Sequence, residues 1–297
     1  MANLKEVKNR ISSVKSTQQI TKAMKMVAAA KLKRAQDKIT QMRPYSERLS
    51  KVIQNVSAGI SEDVENLYAR PSNGGRVLLV VITSDRGLCG GFNSNVFKAT
   101  QQLISEKYSE ELADEELYIM PIGKKSYEYF KKRDFLLVDS YYEIFSGLSF
   151  DKARDAAEFA MDEFLSQRFD KVEIIYNQFK NVATQVVTAE QFLPVKQDDT
   201  ASEASAKGNV VDYIYEPSEE FIFQEVVPKS LKIQFYKTIL ESNAAEHGAR
   251  MTAMDKATDN AGELLKELRL TYNRTRQAAI TKEILEIVGG AEALAAD

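Results

Sequence analysis

Leu4-Lys5-Glu6-Val7-Lys8-Asn9-Arg10-Ile11-Ser12-Ser13-Val14 sets apolar residues alternately three and four apart, and the spacing persists far beyond this opening. One seam runs Leu4, Ile11, Gln18, Lys25, Leu32, Ile39, and its companion runs Val7, Val14, Thr21, Ala28, Ala35, Met42. The same pattern returns at the other end of the chain, as Leu240, His247, Met254, Ala261, Leu268, Thr275 beside Ala244, Met251, Thr258, Leu265, Tyr272, Ala279. A stripe that keeps step with seven residues predicts a left-handed supercoil and needs a partner of similar length. The economical partner of each end is the other, in antiparallel orientation. The competing reading, two separate amphipathic helices on a globular core, fits poorly with length. A helix from Asn3 to about Ser57 would reach about 80 Å at 1.5 Å per residue, wider than a domain of this size.

Between the ends the character changes. After Ser57-Ala58-Gly59 and the turn-rich Arg70-Pro71-Ser72-Asn73-Gly74-Gly75 comes Arg76-Val77-Leu78-Leu79-Val80-Val81-Ile82-Thr83, an aliphatic run of the kind buried on both faces of a sheet. The pattern then predicts a helix from Asn93 to Tyr108, a strand from Leu117 to Pro121, and a helix from Lys124 to Lys131. A strand from Phe135 to Asp139 and a helix from Asp151 to Gln167 follow. Lys171 to Phe179 and Thr184 to Leu193 read as a hairpin turning at Lys180-Asn181-Val182-Ala183. The expected fold is therefore α/β: a long antiparallel coiled coil of the two terminal helices plus a central Rossmann-like α/β domain with a mainly parallel sheet and an antiparallel edge. The expected divisions are an N-terminal helix over 1–57, a central domain over 75–195, a mobile loop and return strand over 196–216, and a C-terminal helix over 217–297. Within them, Gln197 to Asn209 is a solvated excursion, Tyr213 to Tyr215 a last strand, and Pro228 an interruption before the long helix.

At 44% hydrophobic and 28% charged residues, the chain can bury a core and is not disordered. It lacks a long apolar run and a signal-type hydrophobic core, which leads to the expectation of a soluble, cytoplasmic protein without a removable address. Its one cysteine, Cys89, and one histidine, His247, exclude an internal disulfide and a multi-histidine metal site. The net charge of −3 hides an asymmetry: Lys5, Lys8, Arg10, Lys15, Lys22, Lys25, Lys31, Lys33, Arg34, Lys38 and Arg43 face only Glu6 and Asp37 in the opening stretch. Such a helix seeks acidic or solvated surroundings.

Thr83-Ser84-Asp85-Arg86-Gly87-Leu88-Cys89-Gly90-Gly91-Phe92-Asn93 stands between the first strand and its helix, where open α/β sheets place phosphate-binding loops. Its glycine spacing matches neither the dinucleotide fingerprint nor the Walker motif, so a packing turn or a partner contact is preferred. Cys89 has no imidazole nearby in sequence and reads as a buried or turn thiol. No catalytic constellation emerges. The seam itself is irregular: it fails at Lys15-Ser16-Thr17-Gln18-Gln19, after which Ile20, Met24 and Val27 suggest a shifted stripe, and Arg274-Thr275-Arg276-Gln277 interrupts the second helix. Polar seam residues mark a register device or a surface met by a third body. The apolar tail Ile284 to Leu294, around Gly289-Gly290, asks to be enclosed.

Three stretches, Lys15 to Ala28, Thr83 to Asn93, and Tyr272-Asn273-Arg274-Thr275-Arg276-Gln277-Ala278-Ala279-Ile280-Thr281-Lys282-Glu283, resemble the signature stretches of gamma subunits of F-type ATP synthases, in order and over essentially the whole chain. The resemblance implies a rotor shaft without chemistry or cofactors of its own. Its coiled coil would project into a hexamer of alpha and beta subunits, and its α/β domain would sit near epsilon and the ring of c subunits, with delta in the same complex. Proton or sodium flow would drive the rotation, and membrane association would be peripheral. It further implies that Met24 and Lys25 meet a loop of beta, and that Arg276, Gln277, Thr281 and Glu283 meet a beta or alpha catch. Asp85, Arg86, Gly87 and Cys89 would stand at the foot, and the apolar tail in a sleeve. The chain lacks an inserted cysteine pair of the chloroplast type and an Arg-rich presequence, which favours a bacterial source. Two readings compete: a nucleotide-binding α/β protein with a coiled-coil arm, and a nucleic-acid binder whose basic helix would show steep salt dependence.

Overall fold

A computed structural model describes residues 4–59, 67–70, 75–195 and 219–295. The expected excursion at Gln197 to Asn209, the strand at Tyr213 to Tyr215 and the turn residues 71–74 lie outside the described residues. Helix α1 runs Leu4–Gly59. A short 3-10 turn at Leu67–Ala69 leads to β1 (Val77–Ile82), α2 (Phe92–Lys107), α3 (Ser109–Ala113) and β2 (Leu117–Ile122). Then come α4 (Lys124–Lys131), β3 (Leu136–Leu137), α5 (Phe150–Leu165), β4 (Lys171–Phe179), β5 (Gln185–Leu193) and α6 (Glu219–Ala295). Two compact units result: one is Ala29–Arg250, the other combines Met1–Ala28 with Met251–Asp297.

In the larger unit five strands lie in the order β3-β2-β1-β4-β5. β1 pairs in parallel with β2 and β4, β2 in parallel with β3, and β4 with β5 antiparallel. The β4–β5 reversal occurs at the expected turn, where the Asn181 side-chain oxygen accepts from the backbone N–H groups of Ala183 and Thr184 at 3.0 and 2.7 Å. β1 is central, and its alternation feeds two cores. Val77, Leu79 and Val81 meet Val96 and Ile104 of α2 and Phe130 of α4. Leu78, Val80 and Ile82 meet Ala153, Ala156, Ala160 and Phe164 of α5, with Phe235 and Ile239 of α6. The small alanines let α5 lie close to the sheet. β3 is shorter than the expected Phe135 to Asp139 strand: it keeps two residues, because only Tyr118 and Ile119 of β2 offer it partners.

Pro228 does not interrupt the last helix; it lies inside it. A proline inside a helix removes one hydrogen bond and costs about 3 kcal/mol. Val227, Leu231, Phe235 and Ile239, each one helical turn from the next, are 5% exposed or less in the sheet-facing core, and each buried side chain of this size contributes roughly 1.5–3 kcal/mol. Packing therefore outweighs the local defect.

The smaller unit is a pair of antiparallel helical segments, since Gln18, Thr21 and Lys25 of α1 meet Thr258 and Asp255 of α6 in reverse order. The heptad seams read from sequence match the burial: Val7, Thr21 and Ala28 are buried and Leu4, Ile11, Val14, Gln18 and Lys25 half-buried, opposite a helix whose Met254, Ala261, Leu265 and Leu268 are buried. The stripe does not shift. Ile20 and Val27 stand 59% and 57% exposed, because the polar seam residues find partners across the pair and the seam keeps its register.

Candidate partner-contact surface

On the smaller unit the polar layer is closed by side chains from both helices. The Thr21 and Thr258 hydroxyls are 2.8 Å apart, Gln18 donates its amide to the Thr258 carbonyl at 3.4 Å, and Lys25 forms an ion pair with Asp255. An open groove of about 460 Å³ runs beside this layer, lined by Gln18, Gln19, Lys22, Lys25, Met26, Asp255 and Thr258. Met26 is 61% exposed on its rim. Of the residues expected to meet a partner here, Met24 and Lys25 are half-buried. Asp255, which sequence reasoning did not single out, holds Lys25 in place, and Thr258, read only as a seam position, meets Gln18 and Thr21. Their spacing carried the signal: three apart on α6, they match Lys25 and Thr21, four apart on an antiparallel α1.

Further along α6, Arg276, Gln277, Thr281 and Glu283 are all exposed, with the Thr281 hydroxyl donating to the Gln277 carbonyl one turn back at 2.9 Å. Beyond them the helix continues through Gly289 and Gly290 and leaves Ile284, Leu285, Ile287 and Val288 between 48% and 71% exposed. These four follow Leu270 and Ile280, also exposed. Exposed apolar surface of this kind is suited to contact with another protein.

The glycine-rich loop belongs to the larger unit and is wired internally. Thr83 Oγ1 accepts from the Ser126 amide at 2.8 Å, Asp85 accepts from the Lys124 amide at 3.1 Å at the start of α4, and Asn93 Oδ1 accepts from the Ser84 amide at 3.0 Å. The side chains of Thr83, Asp85 and Asn93 are thus spent on holding the loop to the start of α4 and to itself. Gly123 closes the site from below: at φ +102°, a Cβ there would lie 2.3 Å from the Thr83 carbonyl, so the ends of β1 and β2 approach as only glycine permits. Cys89 is 2% exposed, packs with Phe92 and Ala245, and has its thiol pushed up by burial. A thiol held protonated is a poor nucleophile. Arg86, Gly87 and Leu88 form the exposed tip, Leu88 with φ +65°.

Arg250, missed in sequence, fastens that tip. Its guanidinium donates to the Arg86 carbonyl at 3.1 Å and to the Gly87 carbonyl, and pairs with Glu246 one turn earlier on α6. Glu246 is deeply buried, and burial raises its carboxyl above the ordinary value despite Arg250. Its neighbour His247 is driven the other way, down to about 4, by burial and then by Lys31 and Arg250. The spacing of Glu246 and Arg250, four apart, was the available signal. Among the described residues no cluster of three metal-ligating side chains occurs and no helix is long and apolar enough to cross a membrane.

A family model described as ATP synthase matches residues 3–294. The ATP synthase gamma chain of Cytophaga hutchinsonii is 58% identical over 294 residues, spanning 99% of both chains, and that of Chloroherpeton thalassium is 50% identical over 300 residues with the same coverage. Among solved structures, a central stalk and c-ring chain of the Tetrahymena thermophila mitochondrial ATP synthase aligns at 26% identity and a TM-score of 0.56, covering 80% of this chain and 99% of that one. A chain of the Euglena gracilis mitochondrial ATP synthase shares the fold at a TM-score of 0.65 and 20% identity, covering 98% of this chain and 94% of that one.

Proposed function

The chain belongs to the ATP synthase gamma-chain family, and from that membership we propose how this rotor subunit of the central stalk engages its neighbours. It carries no catalytic site; it couples ion flow through a membrane ring to ATP synthesis or hydrolysis elsewhere in the complex. In our reading the helix pair of the smaller unit stands inside a hexamer of alternating alpha and beta subunits. The α/β domain stands by epsilon and the c-subunit ring, with delta in the same complex, at the cytoplasmic face of a bacterial plasma membrane.

The observation that carries this reading is the exposed apolar run Ile280, Ile284, Leu285, Ile287, Val288 at the end of α6, a surface suited to enclosure by a ring of subunits. Next to it, Arg276, Gln277, Thr281 and Glu283 offer directional polar contacts to a catch on alpha or beta, and the Lys22 and Met26 groove with Met24 and Lys25 offers a cationic and apolar seat to an acidic loop of beta. Arg86, Gly87 and Leu88 form the exposed foot, while Asp85 and Cys89 support it from within. An asymmetric shaft makes different contacts with each catalytic subunit as it turns, so each position favours a different open or closed population. Rotation and nucleotide release are linked by that difference in contact free energy.

Arg276→Ala and Gln277→Ala test the reading. Both sit exposed on α6, so the isolated chain should melt unchanged while ATPase turnover of the assembled complex falls. Unaltered turnover and coupling in both variants would count against it.

A further inference from the structure

We infer that the Lys25–Asp255 ion pair and the Thr21–Thr258 contact form a register lock for the shaft, in which Asp255 is a positioning residue and the pairing, not the positive charge at position 25, is what rotation requires. The inference rests on the rotor reading and revises one part of it: the Lys25 ammonium is turned inward to its own chain rather than held out to a neighbouring subunit.

The two helices meet here through polar groups at seam positions, where apolar ones would pack more strongly. Thr21 is 8% exposed. Thr21 also shares its hydroxyl with the Gln18 carbonyl at 3.0 Å, and Thr258 shares its own with the Met254 carbonyl at 2.7 Å. Each hydroxyl has one proton, so across the 2.8 Å contact one threonine donates to the other, which donates back to its own helix. Around this layer the seam is built largely of alanine, threonine and glutamine: Gln18, Thr21 and Ala28 on α1, and Thr258 and Ala261 on α6. Small and polar side chains bury little apolar area, so this stretch of the seam depends on polar pairing for its register. The ionic pair disfavours a one-heptad slide. One heptad in either direction sets Asp255 against Leu32 or Gln18, and Lys25 against Gly248 or Gly262, so neither charge keeps its partner. Gly262 sharpens the selection, since a Cβ at that position would come within 3.1 Å of the Gln18 side-chain nitrogen.

A shaft that transmits torque must turn as one body, and a helix pair free to slip a heptad would dissipate rotation as sliding. The lock lies in the polar stretch of the seam. Because Lys25 and Asp255 are 38% and 48% exposed at their side chains, the pair discriminates between registers by roughly two- to fivefold, the range expected of partly exposed ion pairs.

The test uses the full chain, alone and assembled with alpha and beta subunits. In the chain alone, a Thr21→Cys, Thr258→Cys variant reports register by disulfide formation, with Cys89 replaced by serine. Adding Asp255→Ala should lower the ratio of cross-linked to uncross-linked chain at equilibrium two- to fivefold, and an equal ratio would overturn the lock. In the complex, Asp255→Ala and Lys25→Ala should each lower the ratio of ions pumped to ATP hydrolysed, and the exchanged pair Lys25→Asp with Asp255→Lys should restore it. A swap that restores cross-linking and melting but not coupling would overturn the inference and return Lys25 to the role of a partner contact. If the unaltered chain fails to stimulate alpha and beta at all, the rotor reading fails, and the cross-linking result still decides the register.

Discussion

Strand β1 buries six aliphatic side chains, each 3% exposed or less, with no polar group among them. The helical seam around Lys25 instead brings Gln18, Thr21, Lys25, Asp255 and Thr258 together in one layer. The α/β domain is specified by shape: dense packing on both faces of a sheet leaves one arrangement that fills space. The helix pair is specified by polar matching, which stabilises less and discriminates more. The same contrast holds at the surfaces. The sheet's cores are covered by α2, α4, α5 and α6, whereas the end of α6 keeps its apolar residues in solvent. A domain that carries load packs for itself; a shaft that is read by others leaves contacts open for them.

Substitutions in the two regions should therefore differ in kind. Phe164 is fully buried beneath the sheet, and Phe164→Ala should cost about 3–5 kcal/mol of stability, measured by urea unfolding; a loss under half of that would mean the core tolerates a cavity that dense packing forbids. Arg250→Ala comes next. It strands the buried Glu246 carboxylate and frees the Arg86 and Gly87 carbonyls, and breaking a buried ion pair costs about 3 kcal/mol. Faster hydrogen exchange in the 86–88 loop should accompany the loss, and unchanged exchange would separate the arginine from the loop.

A smaller effect is tied to pH. His247 is held neutral in the fold, its value lowered to about 4 against an ordinary 6.5. The unfolded chain therefore takes up the proton first, and this contribution to stability is lost as pH falls from about 6.5 towards about 4. His247→Gln should flatten that decline, so the stability difference between the two proteins should narrow on moving from about pH 7 to about pH 5. A constant difference would show that the ring titrates normally. The smallest change is expected on the shaft: Ile284→Ser with Leu285→Ser should shift the isolated chain by under about 0.5 kcal/mol, yet weaken assembly with alpha and beta. Destabilisation of the isolated chain by more than that would mean the tail is packed within it.

Periodicity made the helix pair legible from Leu4 and Leu240 onwards, and the aliphatic run at Val77 made the central strand legible, because both patterns record burial directly. Pro228 misled, since its local penalty is visible in sequence while the long-range packing of Val227, Leu231 and Phe235 that offsets it is not. Ile20 and Val27 misled for the complementary reason: they look like a displaced apolar stripe only while the partners of Gln18, Thr21 and Lys25 are unknown. Met24, Arg276, Gln277, Thr281 and Glu283 entered through resemblance to a family, because nothing in their spacing or packing distinguishes them from other residues of a long helix. Arg250 and Asp255 were legible in principle from four- and three-residue spacings, but such spacings recur throughout a charged helix, and only the fold shows which of them meet something.

The most direct measurement is ATPase turnover on mixing purified alpha and beta subunits with and without this chain. A rotor subunit should be required for a stable complex of high turnover, and its omission should leave slow, uncoupled hydrolysis. Equal assembly and equal turnover in its absence would contradict the account.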